Sequence, residues 1–528
     1  MSTETSVAEL IQAPMGASKI TDARYHDLLN SNEPPMHFEC PFLQSALSNW
    51  RDRLAQHDSD DSVRQLQGHT EEREYLVAGV TRHTAILSPL RRMPSENLSE
   101  IFSTTLPSDS QLLDRGRIEL KDSPWTLSHI CGRWRAIALG CPSLWSFIAI
   151  DCDILDKPLV AYPLALLRVQ LDRASQLRVH FAAGLSHSRH QIALLELLVE
   201  YSPLWVEANL ALLPELLPVI AAVRGCVPIL RSLWLEWGNH NRAHRQRLPE
   251  ANIDCFEDAP ALRSASSLLE EYPHVSFPAH QLTRYQLNGS WQRHVDILRS
   301  ATNLVEARVH IIEDYSAHTV SGGVIELPRL RLLYISHTDI LNSLKLPALR
   351  ELGLIITSDP DTPRYIDSMV MRSSCILREL WVVGLVGEMI VMILRKHQGI
   401  ARFVNIATNS ADEAAAVISA LSARDASGIF TLAPQLESVF FALEAALIDY
   451  ADLYIDVLST RWKATGCALN SAGLLIIKSA PRDPELTPSS RLRLDNLRRA
   501  GLDLLFVEGD AVMHMISEWL FDPFIRRL

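Results

Sequence analysis

A leucine-rich phrase recurs along the C-terminal part of the chain and constrains its fold more than any other feature. Between residues 151 and 528, each copy has a leading leucine and then a Leu–x–x–Leu–x–Leu pattern or a variant of it. The leading leucines are Leu177, Leu204, Leu230, Leu282, Leu304, Leu330, Leu349, Leu377 and Leu436. Most successive gaps span 19 to 28 residues, and the two longest gaps hold degenerate copies at 261–268 and 400–406.

Each phrase is typical of a short strand with its leucines on one face and the alternate residues on the other. Stretches with helical spacing lie between the phrases, at 188–201, 290–302 and 411–424. A lone strand–helix unit cannot bury its apolar face, whereas stacked units bury a continuous core. The spacing is close to the leucine-rich-repeat period.

We therefore predict an α/β fold for residues 149–528. It is an irregular leucine-rich-repeat solenoid, with parallel strands on one side and helices on the other. A helix, the stop at Gly501 and a buried strand at 492–510 form its terminal cap. An ordinary α/β domain, with parallel strands joined by helical crossovers, is the alternative.

Two segments precede the most informative part of the chain. Residues 1–42 have scattered prolines and little periodicity, so we leave them unassigned and expect them to be flexible. Residues 43–88 contain no proline, and their apolar residues recur at alternating spacings of three and four, with a break at 57–62. This coiled-coil-like segment forms either a helical hairpin or a single amphipathic helix packed on its own domain.

Residues 89–148 are predicted to form an all-α domain. After Pro94, the residues Leu98, Ile101 and Phe102 fall at i, i+3 and i+4 and share one helix face. A polar connection follows at 108–122. A second helix is predicted from Ser123 to Gly140. Its apolar face contains Leu127, Ile130, Cys131, Trp134, Ile137 and Ala138.

These two stretches resemble the F-box of the large fungal F-box families of basidiomycete type. The matching residues are Pro94, Glu96, Leu98, Ile101, Phe102, Cys131, Arg133, Trp134, Pro142, Leu144 and Trp145. The resemblance implies that the domain binds a Skp-type adaptor of a cullin-based ubiquitin ligase. The implied adaptor contacts are Pro94, Glu96, Leu98, Ile101, Phe102 and Trp134.

Two hypotheses for the function follow. In the first, the chain is a substrate receptor that binds the adaptor through its F-box and an unknown protein substrate through its repeats. In the second, it is a non-catalytic scaffold with a degenerate F-box. The second is supported by Asn97, which stands where the family usually has an aliphatic residue, and by the insert at 108–122.

Aromatic residues on the repeat strands are candidates for substrate contact. Trp234, Tyr334 and Trp381 each lie next to a leucine in a strand-like phrase. If the leucines point into the core, these three rings point to the opposite face of the sheet. An exposed Trp234 would suit partner contact, and coverage by a neighbouring loop is the alternative.

The sequence carries no motif for catalysis, because the patterns GxSxG, HExxH and GxGxxG and the P-loop are absent. His187 and His190, like His240 and His244, have no third ligand nearby and read as solvated loop residues. We therefore expect a non-enzyme without cofactor or metal. The eight cysteines contain no CxxC pair and are typical of reduced thiols in the cytoplasm or nucleus.

Charge and hydropathy exclude two further classes of partner. The net charge of −12 argues against sequence-independent nucleic-acid binding as the function. No run of apolar residues reaches the length of about 18 that a transmembrane helix needs. We expect neither a nucleic acid nor a membrane as a partner.

Overall fold

A computed structural model describes residues 20–59, 67–116, 119–152, 163–184, 189–237, 252–268, 274–312, 323–355, 359–407, 411–463, 468–478, 484–509, 511–513 and 515–516. The chain divides into two compact units, Met1–Trp205 and Val206–Leu528. Each unit combines helices with parallel strands, so the predicted α/β class is confirmed.

The first unit begins with three helices: α1 (Asp22–Asn30), α2 (Cys40–Ser59) and α3 (Gln67–Ile86). Their apolar side chains form one buried cluster of Tyr25, Leu28, Phe42, Leu43 and Ile86. The expectation of a flexible start was therefore wrong for residues 20–42, because α1 buries Tyr25 and Leu28 against the helices that follow. Residues 1–19 lie outside the described residues.

Helices α2 and α3 pack against each other. The ring of Trp50 on α2 lies 5.4 Å from that of Tyr75 and 5.8 Å from that of His83 on α3. Gly79 on α3 leaves space for the Trp50 ring, since a Cβ at position 79 would lie 2.4 Å from the indole. The two helices thus pack as the helical-hairpin hypothesis requires. Of the predicted break at 57–62, residues 57–59 still belong to α2, and residues 60–62 lie outside the described residues.

Five short helices follow: α4 (Pro89–Arg92), α5 (Ser95–Thr104), α6 (Asp109–Arg115), α7 (Trp125–Ile130) and α8 (Gly132–Leu139). Helix α5 begins after Pro94, as predicted. The connection at 108–122 is not all loop, because it contains α6. A capping box starts this helix: Gln111 N donates to Ser108 Oγ at 3.3 Å, and Ser108 N donates to Gln111 Oε1 at 3.0 Å.

The second helix predicted for this domain is broken into α7 and α8 at Cys131. Cys131 has an extended backbone, and its Sγ accepts a hydrogen bond from Trp134 N at 3.4 Å. Gly132, a poor helix former, comes next. The predicted continuous apolar face was therefore wrong at Ile130, which is 52% exposed.

The first unit ends with alternating strands and helices. A 3-10 turn at Pro142–Trp145 leads into β1 (Phe147–Asp151), α9 (Leu164–Leu171), β2 (Leu177–Ala182) and α10 (Arg189–Glu200). Strands β1 and β2 are parallel, with Phe147 opposite Arg178. Helix α10 lies within the stretch predicted at 188–201.

A large parallel sheet dominates the second unit. Its strands, with the two of a smaller sheet, are β3 (Trp205–Leu212), β4 (Ser232–Trp237), β5 (Ser264–Ser267), β6 (Arg284–Gly289), β7 (Glu306–Ile311), β8 (Ile325–Glu326), β9 (Leu332–Ile335), β10 (Leu344–Lys345), β11 (Glu351–Ile355), β12 (Glu379–Val383), β13 (Arg402–Ala407), β14 (Ser438–Glu444), β15 (Ser471–Ile477) and β16 (Asp503–Glu508). Of these strands, β8 and β10 pair with each other in the smaller sheet. The other strands pair with their neighbours in chain order in the large sheet.

Parallel pairing in chain order is what stacked strand–helix units require. Every strand pair that the structure describes in this unit is parallel, for example Leu352 of β11 opposite Leu333 of β9. The degenerate copies predicted at 261–268 and 400–406 are real strands, β5 and β13. The second unit is therefore a mixed α/β structure consistent with a solenoid-like fold.

The helices of the second unit are α11 (Leu217–Ile220), α12 (Trp291–Ser300), α13 (Thr362–Ser373), α14 (Gly387–Lys396), α15 (Ala411–Ser422), α16 (Asp449–Trp462) and α17 (Pro488–Arg499). Helices α12 and α15 lie at the predicted positions. Gly501, with φ of +99°, separates α17 from β16, as predicted for the terminal cap.

The leucine face of the sheet packs against helices. On β14, the ring of Phe441 lies 4.9 Å from that of Tyr454 on α16. The Tyr454 hydroxyl donates to the carbonyls of Val439 at 2.8 Å and Gly473 at 3.1 Å. These contacts place α16 over two neighbouring strands, as the predicted layering requires.

Candidate functional site

The helical domain at 89–148 has a core of its own. The buried residues of this core are Leu98, Phe102, Trp125, Leu127, Ala138, Leu144 and Trp145. Trp134 is half-buried, and its ring lies 4.9 Å from that of Phe102. Leu98 and Phe102, which the resemblance assigned to adaptor contact, therefore hold α5 onto α8 within the domain.

The remaining predicted contacts lie on the surface of α5. Pro94, Glu96 and Ile101 are exposed, and Ile101 retains 41% of its accessible area. We call these three residues the α5 patch. Asn97 is also exposed, so its amide is hydrated in the free chain. An exposed apolar side chain and an exposed carboxylate on one short helix give a partner both an anchor and a charge to recognise.

Arg133 on α8 fixes the turn that leads into the α5 patch. Its guanidinium donates to the carbonyls of Leu90 at 3.3 Å and Arg91 at 2.5 Å, and also to that of Met93. Carbonyls at the end of a helix have no hydrogen-bond donor within that helix. Arg133 provides the donor for the carbonyls at the end of α4. This contact explains why an arginine suits position 133 and ties the start of α5 to α8.

Two tryptophans and an arginine close the other end of the domain core. The rings of Trp125 and Trp145 lie 5.0 Å apart and nearly perpendicular, at 89°. The guanidinium of Arg173 lies 4.4 Å from the Trp145 ring, where cation–π attraction is favourable. Burial lowers the pKa of Arg173. Trp145 also donates through Nε1 to the Ala138 carbonyl at 2.8 Å, so the Pro–x–Leu–Trp stretch serves the core.

The predicted aromatic surface of the sheet is covered. Tyr334 and Trp381 lie on the face opposite the leucines, as the strand alternation predicted, with their rings 6.2 Å apart. Both are nonetheless buried, in a cluster that includes Val512 and Ile516 near the end of the chain. The expectation that these rings are exposed to a substrate was therefore wrong. The Tyr334 ring is covered in part by the guanidinium of Arg308, which lies 4.4 Å from its centre.

Trp234 differs from the other two aromatic candidates. It is half-buried between the fully buried Leu233 and Leu235, so its strand face is as predicted. Its register partners are Asn209 on β3 and Ser266 on β5. Trp234 remains the one accessible member of the three candidates.

A second surface feature was not identified from the sequence. Arg231, Arg263, Arg331, Arg350 and Arg378 each follow the leading leucine of a phrase, and all five are exposed. We call these five residues the arginine row. The repeated Leu–Arg pair was the signal in the sequence. The strand register shows that Arg231 and Arg263 precede neighbouring strands and that Arg331, Arg350 and Arg378 precede three consecutive strands of the sheet.

The last three members of the arginine row, Arg331, Arg350 and Arg378, line an open groove of about 500 Å³. Its lining comprises Arg331, Pro347, Ala348, Leu349, Arg350, Ser374, Cys375, Ile376 and Arg378. Ile376 is 63% exposed at this groove. The groove thus combines three positive side chains with apolar surface.

The described residues hold no group of three histidine, cysteine or acidic side chains that could bind a metal ion. His190 is described, but His187, His240 and His244 lie outside the described residues. The seven cysteines in the described part form no disulfide with one another, and Cys467 lies outside it. Among the helices that the structure describes, none has the length and apolarity needed to cross a membrane.

No protein-family model matches the chain, and a search of curated proteins gave no match. The candidate sites are therefore defined by residue pattern and geometry alone. They are the α5 patch in the first unit and the arginine row with its groove in the second.

Proposed function

We propose that the chain is the substrate-recognition subunit of a Skp–cullin–F-box type ubiquitin ligase. The helical domain at 89–148 acts as the F-box, and the α5 patch binds the Skp-type adaptor. The parallel-sheet unit acts as a leucine-rich-repeat-like receptor for a protein substrate. In this proposal the chain acts in the cytoplasm or nucleus. The chain itself does no chemistry and raises the local concentration of substrate near the ubiquitin-charged enzyme.

The observation that carries the proposal is that α5 has one buried side and one exposed side. Phe102 and Leu98 face inward and hold the helix in place, while Ile101, Pro94 and Glu96 stay outside. A helix that needed only to stabilise its own domain would gain nothing from an exposed isoleucine. Interface anchors of this kind typically contribute about 2 kcal/mol or more to binding.

A scaffold with a degenerate F-box is the second candidate function. Asn97 is exposed next to the α5 patch, and α6 occupies the insert at 108–122. If position 97 contacts the adaptor, its amide loses hydration there, at a cost of roughly 1–3 kcal/mol. Asn97→Ile would then strengthen adaptor binding, whereas a side chain that stays in solvent would leave the affinity unchanged.

Co-purification separates the two functions. A tagged full chain is isolated from cells and its partners are identified by mass spectrometry, beside the variant Ile101→Ala. The matched control is Leu139→Ala, because Leu139 on α8 is 37% exposed and so resembles Ile101. We expect adaptor and cullin with the wild type and the control, and their loss with Ile101→Ala. Absence of adaptor from the wild-type sample contradicts the ligase function.

A further inference from the structure

The backbone fixes the spacing of Arg331, Arg350 and Arg378. Arg350 N donates to the carbonyl of Arg331 at 2.9 Å, and Arg378 N donates to the carbonyl of Arg350 at 2.8 Å. The three residues therefore start neighbouring strands at the same register. Adjacent strands lie about 4.8 Å apart, so three guanidinium groups emerge from one edge of the sheet within about 10 Å.

The charge of these three arginines is not neutralised within the described part of the chain. The carboxylates next to them are engaged elsewhere: Glu351 accepts from the Tyr334 hydroxyl at 2.8 Å, and Glu379 pairs with Arg402 at 3.3 Å. Among the described residues, no carboxylate forms an ion pair with Arg331, Arg350 or Arg378. Like charges on neighbouring strands destabilise a sheet, so an anion bound here would relieve repulsion.

We propose that Arg331, Arg350 and Arg378 bind an acidic peptide segment of a partner protein. Carboxylate or phosphate oxygens of the peptide accept hydrogen bonds from the guanidinium groups, which suit such oxygens in pairs. An extended peptide advances about 3.3 Å per residue, so three residues span the three arginines. The exposed Ile376 offers an apolar contact beside them.

The same surface fits a nucleic acid poorly. The whole chain carries a net charge of −12, which repels a long polyanion. No aromatic side chain is among the described residues that line the groove, so these residues offer bases nothing to stack on. A short anionic stretch that contacts only the groove avoids both difficulties.

This site deepens the receptor role proposed for the second unit and rests on it. Peptide binding and adaptor binding are measured on the same purified full chain in separate titrations, so that failure of one does not decide the other. The probes are fluorescein-labelled 12-residue peptides of glycine and serine that carry three glutamates, one phosphoserine or three glutamines. A 12-nucleotide single strand of DNA is the fourth probe, and binding is followed by fluorescence anisotropy at low and at physiological salt.

The test variant is Arg331→Gln, Arg350→Gln and Arg378→Gln combined. The control removes three exposed arginines from helices, Arg364→Gln, Arg395→Gln and Arg499→Gln, and so changes the net charge equally. Each exposed ion pair is worth roughly a threefold change in affinity. We therefore expect about 30-fold weaker binding of an acidic peptide by the test variant, and wild-type binding by the control. Both variants should keep the wild-type melting temperature.

The two acidic probes distinguish carboxylate from phosphate as the recognised group, and binding of either one through the arginines supports the site. Three results overturn it: the glutamine peptide binds as tightly as the acidic ones, the test variant binds like the wild type, or only the DNA strand depends on the three arginines.

Discussion

Tyr334 on β9 lies against Gly353 on β11, in the place that a side chain at 353 would occupy. The two residues are direct partners in the strand register, and a Cβ at position 353 would lie 2.2 Å from Tyr334 Cδ1. The guanidinium of Arg308 lies 4.4 Å from the centre of the Tyr334 ring. Gly353 is thus the residue that allows an aromatic ring to be buried on this face of the sheet.

Replacing this glycine should loosen the aromatic cluster. Gly353→Ala forces the buried Tyr334 ring to move, and we expect overpacking to destabilise the surrounding strands by about 1–3 kcal/mol. Hydrogen exchange of peptides from β9 to β12 measures the local loss. Gly289→Ala is the control, since its Cβ would meet its nearest neighbours at an ordinary 3.5 Å. Equal losses in the two variants would contradict the packing described here.

The two sides of α5 should respond differently to truncation. Phe102 is fully buried, so Phe102→Ala should destabilise the helical domain by about 3–5 kcal/mol. Ile101→Ala removes an exposed side chain, and its effect on stability should stay within about 0.5 kcal/mol. Hydrogen exchange of α5 and α8 provides the measurement. Similar destabilisation by both changes would show that Ile101 belongs to the core.

The stability of the second unit should decrease at mildly acidic pH because of His294. This side chain is fully buried on α12, where Tyr285 Oη lies 2.9 Å from Nδ1 and the His310 carbonyl lies 3.3 Å from Nε2. Burial lowers the pKa of His294, and with the smaller effect of the nearby Arg293 charge the pKa falls to about 3. A histidine in the unfolded chain titrates near pH 6.5.

Between pH 6.5 and the folded pKa, the unfolded chain therefore binds a proton that the folded chain does not. The contribution of His294 is complete above pH 6.5 and falls by about 1.4 kcal/mol per pH unit well below it. Urea unfolding of the full chain at pH 7, 6 and 5 tests this. His294→Gln should reduce the slope, and the exposed His280→Gln should not. An unchanged slope in His294→Gln rules out this assignment.

A charge placed in the middle of the repeat array should act locally. Leu352 is fully buried on β11, so Leu352→Asp introduces an unpaired charge into the core. In a stack of units that contact mainly their neighbours, exchange should increase most around β9 to β12 and little in the helical domain. The control is Met371→Asp on α13, where the side chain is 81% exposed. Uniform loss of protection throughout the second unit would favour a single cooperative α/β domain.

The periodic features of the fold could be predicted because each depends on residues close in sequence. The leucine spacing located β5 and β13 in degenerate copies, and the face of Trp234 followed from simple strand alternation. The start of α5 after Pro94 was likewise visible. Because these features are repeated or local, they can be recognised in a single sequence without an alignment.

The features that were missed depend on competing local bonds or on distant segments. At Cys131, the thiol caps a new helix and ends the previous one, which helical spacing alone does not show. Ser108 and Gln111 did carry a capping-box signal for α6. Tyr334 and Val512 belong to one buried cluster although they lie far apart in the sequence, and no periodicity reports such a cluster.

The affinity of the purified full chain for a recombinant Skp-type adaptor tests the central claim most directly. In a calorimetric titration, we expect one adaptor to bind per chain. We also expect Ile101→Ala, which leaves the core intact, to weaken binding by at least about 30-fold. Leu139→Ala should bind like the wild type. No heat of binding with the wild-type chain, or equal affinity of wild type and Ile101→Ala, would contradict an F-box that works through the α5 patch.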